Sequence, residues 1–245
     1  MENHFISDRV ARVPAHFSGR NGRIVSHIAA CIVLLFVSAF SRGIHHPAGI
    51  FSNSFIFGLN FDPSFTLNVG YARVFHIGEN EWPLTLSADF ATPMMLSSGR
   101  NYIGEIGTMV PVYQFKKVKV VNALTVRNMR QENWAAVAYN FTLEEGILPG
   151  FYHEDFYIAA EASFAWFLFA HYAHSDKYRD TVYEDVVDGW YRSTGGKFDF
   201  GVRGGIIFLQ KWGVNIRGGI RVDELFRITY SGAPVYVNFG VSYAW

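Results

Sequence analysis

Cysteine is almost missing from this chain: the single thiol, Cys31, lies in an apolar segment near the N-terminus. If that segment leaves with an export leader, no sulfur remains for a disulfide, a thiolate metal site or a cysteine nucleophile. A charge excess is missing as well, because 21 Lys and Arg face 21 Asp and Glu. Without a basic surplus there is no electrostatic footprint for a nucleic-acid backbone, and no such partner is expected. No uncharged apolar run reaches the ~20 residues of a membrane helix. Internal repeats, low-complexity stretches and long linkers are absent too, which leaves one domain. What the chain has instead is aromatic side chains, 17% of the sequence, together with 23 glycines. That mixture suits twisted strands better than helices.

The clearest pattern is at the C-terminus. From Val235 through Val237, Phe239, Val241 and Tyr243 to Trp245, every second residue is large and apolar. The residues between are small or polar (Asn238, Gly240, Ser242, Ala244), with Tyr236 the one bulky exception. Period-two alternation marks a strand whose faces see different surroundings. A terminal indole suits a membrane interface. The spacing of Asn238, Gly240, Tyr243 and Trp245 resembles the C-terminal assembly signal of bacterial outer-membrane β-barrels, although that family more often ends in Phe. The resemblance implies insertion by the outer-membrane assembly machinery, and contact with outer-membrane lipid and lipopolysaccharide.

An exported barrel needs a leader. Ile28 to Phe40 is mostly apolar and uncharged, and it follows Arg9, Arg12, Arg20 and Arg23. It is too short to span a bilayer but has the length of a secretory signal core. Ala39 and Ser41 supply the small residues of a cleavage site before Arg42. Residues 1–41 therefore read as a signal peptide and 42–245 as the barrel domain. Cys31 in Ile28-Ala29-Ala30-Cys31 has the look of a lipoprotein box, but most of the apolar core comes after it, which argues against lipidation. Cleavage would remove four basic and two acidic residues, leaving 17 and 19, a net charge of −2.

Alternation recurs upstream, in Ser52–Asn60, Phe65–Ala72, Leu84–Ala91, Phe198–Ile206 and Val214–Val222. It is weaker in Tyr102–Val112, Lys117–Arg127 and Trp134–Leu143. Phe156–Leu168 alternates as well, although a single membrane helix over Phe156–Ala173 is the rival reading. Glu161 stands against that helix, since a mid-bilayer charge costs about 2.5–3.5 kcal/mol on insertion scales. The expected fold is all-β, a transmembrane antiparallel up-and-down β-barrel of about ten strands. The count falls to eight if the first pair lies outside, and rises to twelve if Leu225–Tyr230 and Thr181–Val187 pair. Short turns such as Leu209–Gly213 fall on the periplasmic side, with Trp82, Trp212 and Trp245 as that girdle. Trp134 and Trp166 fall towards the opposite rim.

With the apolar face outward, Asp89, Glu105, Glu161 and Asp199 point into the lumen, as do Arg203, Arg217 and Arg221. Lys119 and Arg127 are expected there as well. Two readings compete: a structural ion-pair network filling a narrow barrel, and a charged constriction that selects solutes. The first is favoured, giving a mostly filled lumen and a structural, surface-interaction or narrow-solute role without catalysis.

The alternative is a lipid hydrolase. Outer-membrane lipid A deacylases and phospholipases, which the rim segment resembles in part, carry His-x-Ser at an extracellular strand end. Here His171, His174 and Ser175 are the candidates, yet residue 173 is Ala, and His174 and Ser175 are adjacent. The loop that follows, through Lys197, mixes carboxylates with Tyr178, Tyr183, Trp190 and Tyr191, and an extracellular ligand would bind here. Its carboxylate spacing matches no defined metal loop, so neither a metal nor another cofactor is expected.

Overall fold

The computed structural model describes residues 52–61, 65–77, 82–94, 100–182, 184–192, 195–223 and 235–245. The expected leader, its cleavage site and Cys31 lie outside them, as does Leu225–Tyr230. The chain first forms β1 (Asn53–Phe61), β2 (Phe65–Ile77), β3 (Trp82–Pro93), β4 (Tyr102–Phe115) and β5 (Val118–Glu132). Two long strands follow, β6 (Ala136–Tyr152) and β7 (Phe156–His174), then a short helix α1 (Asp176–Thr181) and a short strand β8 (Gly189–Arg192). The chain ends with β9 (Gly196–Phe208), β10 (Trp212–Asp223) and β11 (Val235–Ala244).

Each strand pairs antiparallel with its chain neighbour, except that β9 joins β7 and β8 is left outside. The circle closes where β11 pairs with β1, from Ser54↔Ala244 to Phe61↔Val237. The result is a closed ten-stranded up-and-down barrel, the fold of the outer-membrane class. Phe156 to Ala173 lies within strand β7, so the helical reading of that segment is wrong. No helix among the described residues is long and apolar enough to cross a membrane. The strand suggested over Thr181–Val187 is also absent among the described residues. Helix α1 ends there, and the extra strand comes later, at Gly189–Arg192, paired only with the overrunning end of β7.

The wall is built inside out. Outward side chains are apolar and open, for example Phe57 at 63%, Val202 at 61% and Ile158 at 61%, whereas inward Arg217, Asp199 and Asn238 are each 1% exposed. Such a surface is stable only in hydrocarbon, where every backbone group must also be paired. Closing the sheet meets that demand by leaving no edge.

Turns at one end are tight, at 116–117, 153–155 and 209–211, and the chain's last residue lies at this end. Leu209 and Gln210 both hold positive φ, 51° and 56°, as the two central residues of a type I′ turn do. Trp82, Trp212 and Trp245 gather at this end, with Trp212 edge-on to Tyr243 at 5.0 Å. The opposite end carries the long connections 94–101, 175–195 and 224–234. There β6 and β7 far exceed the ~9–11 residues that cross a bilayer. Two bulges adjust the wall, one at Pro111/Tyr113 and one where Phe141 and Thr142 face β7.

Candidate functional site: the lumen and the rim above it

Register places the inward charges in contact. Asp89, Glu105 and Arg127 are consecutive partners across β3, β4 and β5, and Arg127 Nε donates to Glu105 Oε1 at 2.6 Å. Arg203 and Arg217 face each other across β9 and β10, a repulsive placement on its own. Glu161 of β7 sits between them. Its Oε2 accepts from Arg217 Nε at 2.7 Å and from Arg203 Nη2 at 3.2 Å, and its Oε1 accepts from Arg217 Nη2. Glu144 of β6 extends the alternation of sign, 4.0 Å from both Arg217 and Arg127 and accepting from Ser163 Oγ at 2.8 Å.

Nearer the long-loop end, Arg221 and Asp199 form a two-pronged pair at 2.8 and 3.0 Å. Planar, fully charged guanidinium groups suit such paired contacts with carboxylates better than lysine would. Lys119 lies apart, beside the β4–β5 turn and opposite Gln114.

Room for these long side chains comes from glycine on neighbouring strands. Tyr236, Gly219, Gly201 and Glu161 lie in one cross-strand row. A Cβ on Gly219 would collide with the Phe200 carbonyl and the Tyr236 hydroxyl, and one on Gly201 would meet the same hydroxyl. The Tyr236 ring therefore lies over backbone, with the Arg217 guanidinium 4.7 Å and that of Arg221 5.6 Å from its centre. Tyr157 repeats the arrangement over Gly205 and donates to Asn215 Oδ1 at 3.2 Å.

Towards the tight-turn end the lumen becomes apolar. Met109, Val121, Leu148 and Ala159 pack with Tyr152 and Tyr157, whose rings stack at 5.8 Å and 6°. Two interior cavities, of about 30 and 20 Å³, border the polar cluster. Each has room for ordered water.

Sequence reasoning missed Glu144, Tyr157 and Tyr236. Glu144 lies one residue past the segment of weak alternation, Trp134–Leu143. Tyr236 stood out only as a break in alternation, and the facing Gly201 and Gly219 were the signal that would have placed it.

At the rim, His171 remains on β7 beside Trp190, with ring centroids 4.9 Å apart. His174 Nδ1 lies 2.9 Å from Asp188 Oδ1, which also accepts from the His174 backbone N–H at 2.9 Å. Arg179 binds the other oxygen of Asp188. These contacts, led by the His174 backbone N–H, hold the Asp188 carboxyl well below the usual carboxylate range. Ser175 Oγ donates to the Trp134 carbonyl at 2.8 Å and caps α1 by accepting from Tyr178 N–H at 3.1 Å. Its hydroxyl thus serves the backbone. Among the described residues, no group of three or more His, Cys, Asp and Glu is placed to hold a metal ion.

The four residues of the terminal motif divide by face. Asn238 is buried in the lumen and Gly240 faces Gly58 and Asn215, while Tyr243 and Trp245 point outward. No protein-family model matches this sequence, and no curated protein does. Among solved structures, the chain is similar to one described as a KdgM porin, at 9% identity and a TM-score of 0.37, over 78% of this chain and 99% of that one.

Proposed function

We propose that the chain is a small bacterial outer-membrane barrel that acts through its walls and its long-loop end rather than as an open pore. The observation that supports this reading is the burial of three large side chains on the inner face of the wall: Arg217, Tyr157 and Tyr236 are each at most 2% exposed. An aqueous conduit needs a continuous wetted path, and here guanidinium groups and tyrosine rings occupy that space. The role is structural or one of surface interaction, with an extracellular ligand taken by the His171–Lys197 segment. Export follows cleavage before Arg42, which N-terminal sequencing of the mature protein tests. Insertion uses Asn238, Gly240, Tyr243 and Trp245.

Reconstitution into a planar bilayer tests the closed lumen. The expected result is no unitary conductance for the native chain. Stable conductance steps whose ion selectivity changes in Arg217→Ala or Glu161→Ala would replace this reading with that of a narrow channel.

A second reading, a lipid hydrolase, has one observation in its favour: His174 is oriented by Asp188 as a general base often is. The engagement of Ser175 with Trp134 and Tyr178 weighs against it. Mass spectra of lipid A and phospholipids after overexpression decide, because a hydrolase would change them and His174→Ala would abolish the change.

A further inference from the structure

One carboxylate of the barrel wall points the wrong way. Glu144 serves the lumen, but its neighbour Glu145 projects from the outer face and is exposed, with the Asn122 amide donating to it at 3.3 Å. The outward side chains of β6 run from Tyr139 and Phe141 near the rim to Phe151 at the turn end, and Glu145 stands midway between them. Asn122 lies four residues in from the turn end of β5, flanked by Val120 and Leu124 on the same face, with Val118 and Val126 beyond. Both groups therefore lie deep in the apolar band, where acyl chains offer no hydrogen bond. The interior network uses neither of them.

The surrounding wall also differs from the opposite one. Across β11, β1 and β2 the outer surface is aromatic and grooved, with a depression of about 600 Å³ lined by Phe57, Leu59, Phe90 and Phe239 among others. Beside the pair, on the outward face of β4 to β6, stand the aliphatic Ile106, Val110, Val120, Leu124, Leu143 and Ile147, with Thr108 in the same row and the aromatic Phe141 only beyond Leu143.

We propose that the β4–β6 wall is the contact face of a homodimer whose two-fold axis runs along the membrane normal, with the Asn122–Glu145 pairs of the two copies meeting at mid-height. That axis preserves depth, so each residue meets the partner's wall at its own level. The contact is self-complementary, as a two-fold requires. The donor–acceptor character of the pair is what commits the face to a second copy. Asn122 Nδ2 carries two hydrogens and Glu145 has two oxygens, so the amide of either copy reaches the carboxylate of the other while keeping its own bond. Mid-height polar groups on a spanning surface act in the same way between membrane helices, by giving each other the bonds that lipid withholds.

The test uses the refolded full-length chain in a Cys31→Ser background. Sedimentation equilibrium in density-matched micelles should show reversible dimers. Glu145→Leu combined with Asn122→Val should weaken them at least tenfold, leaving the heat-dependent gel shift of the folded barrel unchanged, and Glu145→Gln should largely restore association. In lipid vesicles, a cysteine replacing Leu143 should cross-link to its counterpart, whereas one replacing Phe57 should not. A native chain that is monomeric in both media, a double variant that associates as tightly as the native chain, or cross-linking through position 57 in place of 143 would overturn the proposal.

Discussion

Arg217 joins several parts of the interior. It bonds Glu161 through two nitrogens, approaches Glu144 and lies on the Tyr236 ring. Removing one member of a buried charged set leaves the others unpaired, at a cost of about 3–5 kcal/mol, whereas removing both members often costs little. Arg217→Met should therefore lower stability by roughly that amount, and adding Glu161→Gln should lower it further, because Glu161 is also the carboxylate that pairs with buried Arg203. Urea unfolding in lipid vesicles reads both. Gly219→Ala tests the backbone cradle: its Cβ has no space beneath Tyr236, and overpacking of this kind costs about 1–3 kcal/mol. Tyr236→Leu should relieve little of that strain, because the backbone carbonyl of Phe200 lies closest to the added Cβ, and the same unfolding measurement shows it.

Much of this interior was legible from alternation, because a period of two assigns each inward residue once the outward face is known. Asp89, Glu105, Glu161, Asp199 and the arginines at 203, 217 and 221 follow directly from it. Their partners did not follow, since they depend on cross-strand register, and register reads out only when strand ends and bulges are known.

Strands of unequal length give the molecule its asymmetry. β6 and β7 continue past the barrel at the long-loop end and carry α1 and β8 with them. The sequence pattern lost β6 at Leu143 and β7 at Leu168 for physical reasons. Glu144 and Glu145 face opposite ways, and the bulge opposite Phe141 shifts the parity of β7 beyond Phe167.

Asp188 ties this protruding element together by joining His174 and Arg179 across the loop. Its carboxyl titrates below the usual range in the folded state. The contribution is therefore present above the ordinary carboxylate pKa of about 3.9 and is lost as pH falls through the lower folded value. Amide hydrogen exchange over residues 175–190 should accelerate, relative to the barrel strands, only in that acidic window. Asp188→Ala should show the loosened behaviour at neutral pH and no further acid transition there.

The whole barrel stands on closure rather than on this protrusion. β7 passes its ladder from β8 to β9 at Trp166↔Gly196, below the helix and the extra strand. Deleting residues 176–190 should accordingly leave the barrel folded, with the heat-dependent gel shift and strand-type circular dichroism retained. Loss of both would show that the protrusion nucleates the wall.

Closure also links two tasks in β11. Its outward Tyr243 and Trp245 suit recognition and the membrane interface, while its inward Tyr236 and Asn238 fill the space beside Arg217 and Arg221. Until β11 zips onto β10 and β1, the arginines of β10 lack the ring that covers them. The strand proposed to carry the insertion signal is thus also the one that brings Tyr236 over Arg217 and Arg221, so a barrel that has not finished assembling has not finished covering its arginines either.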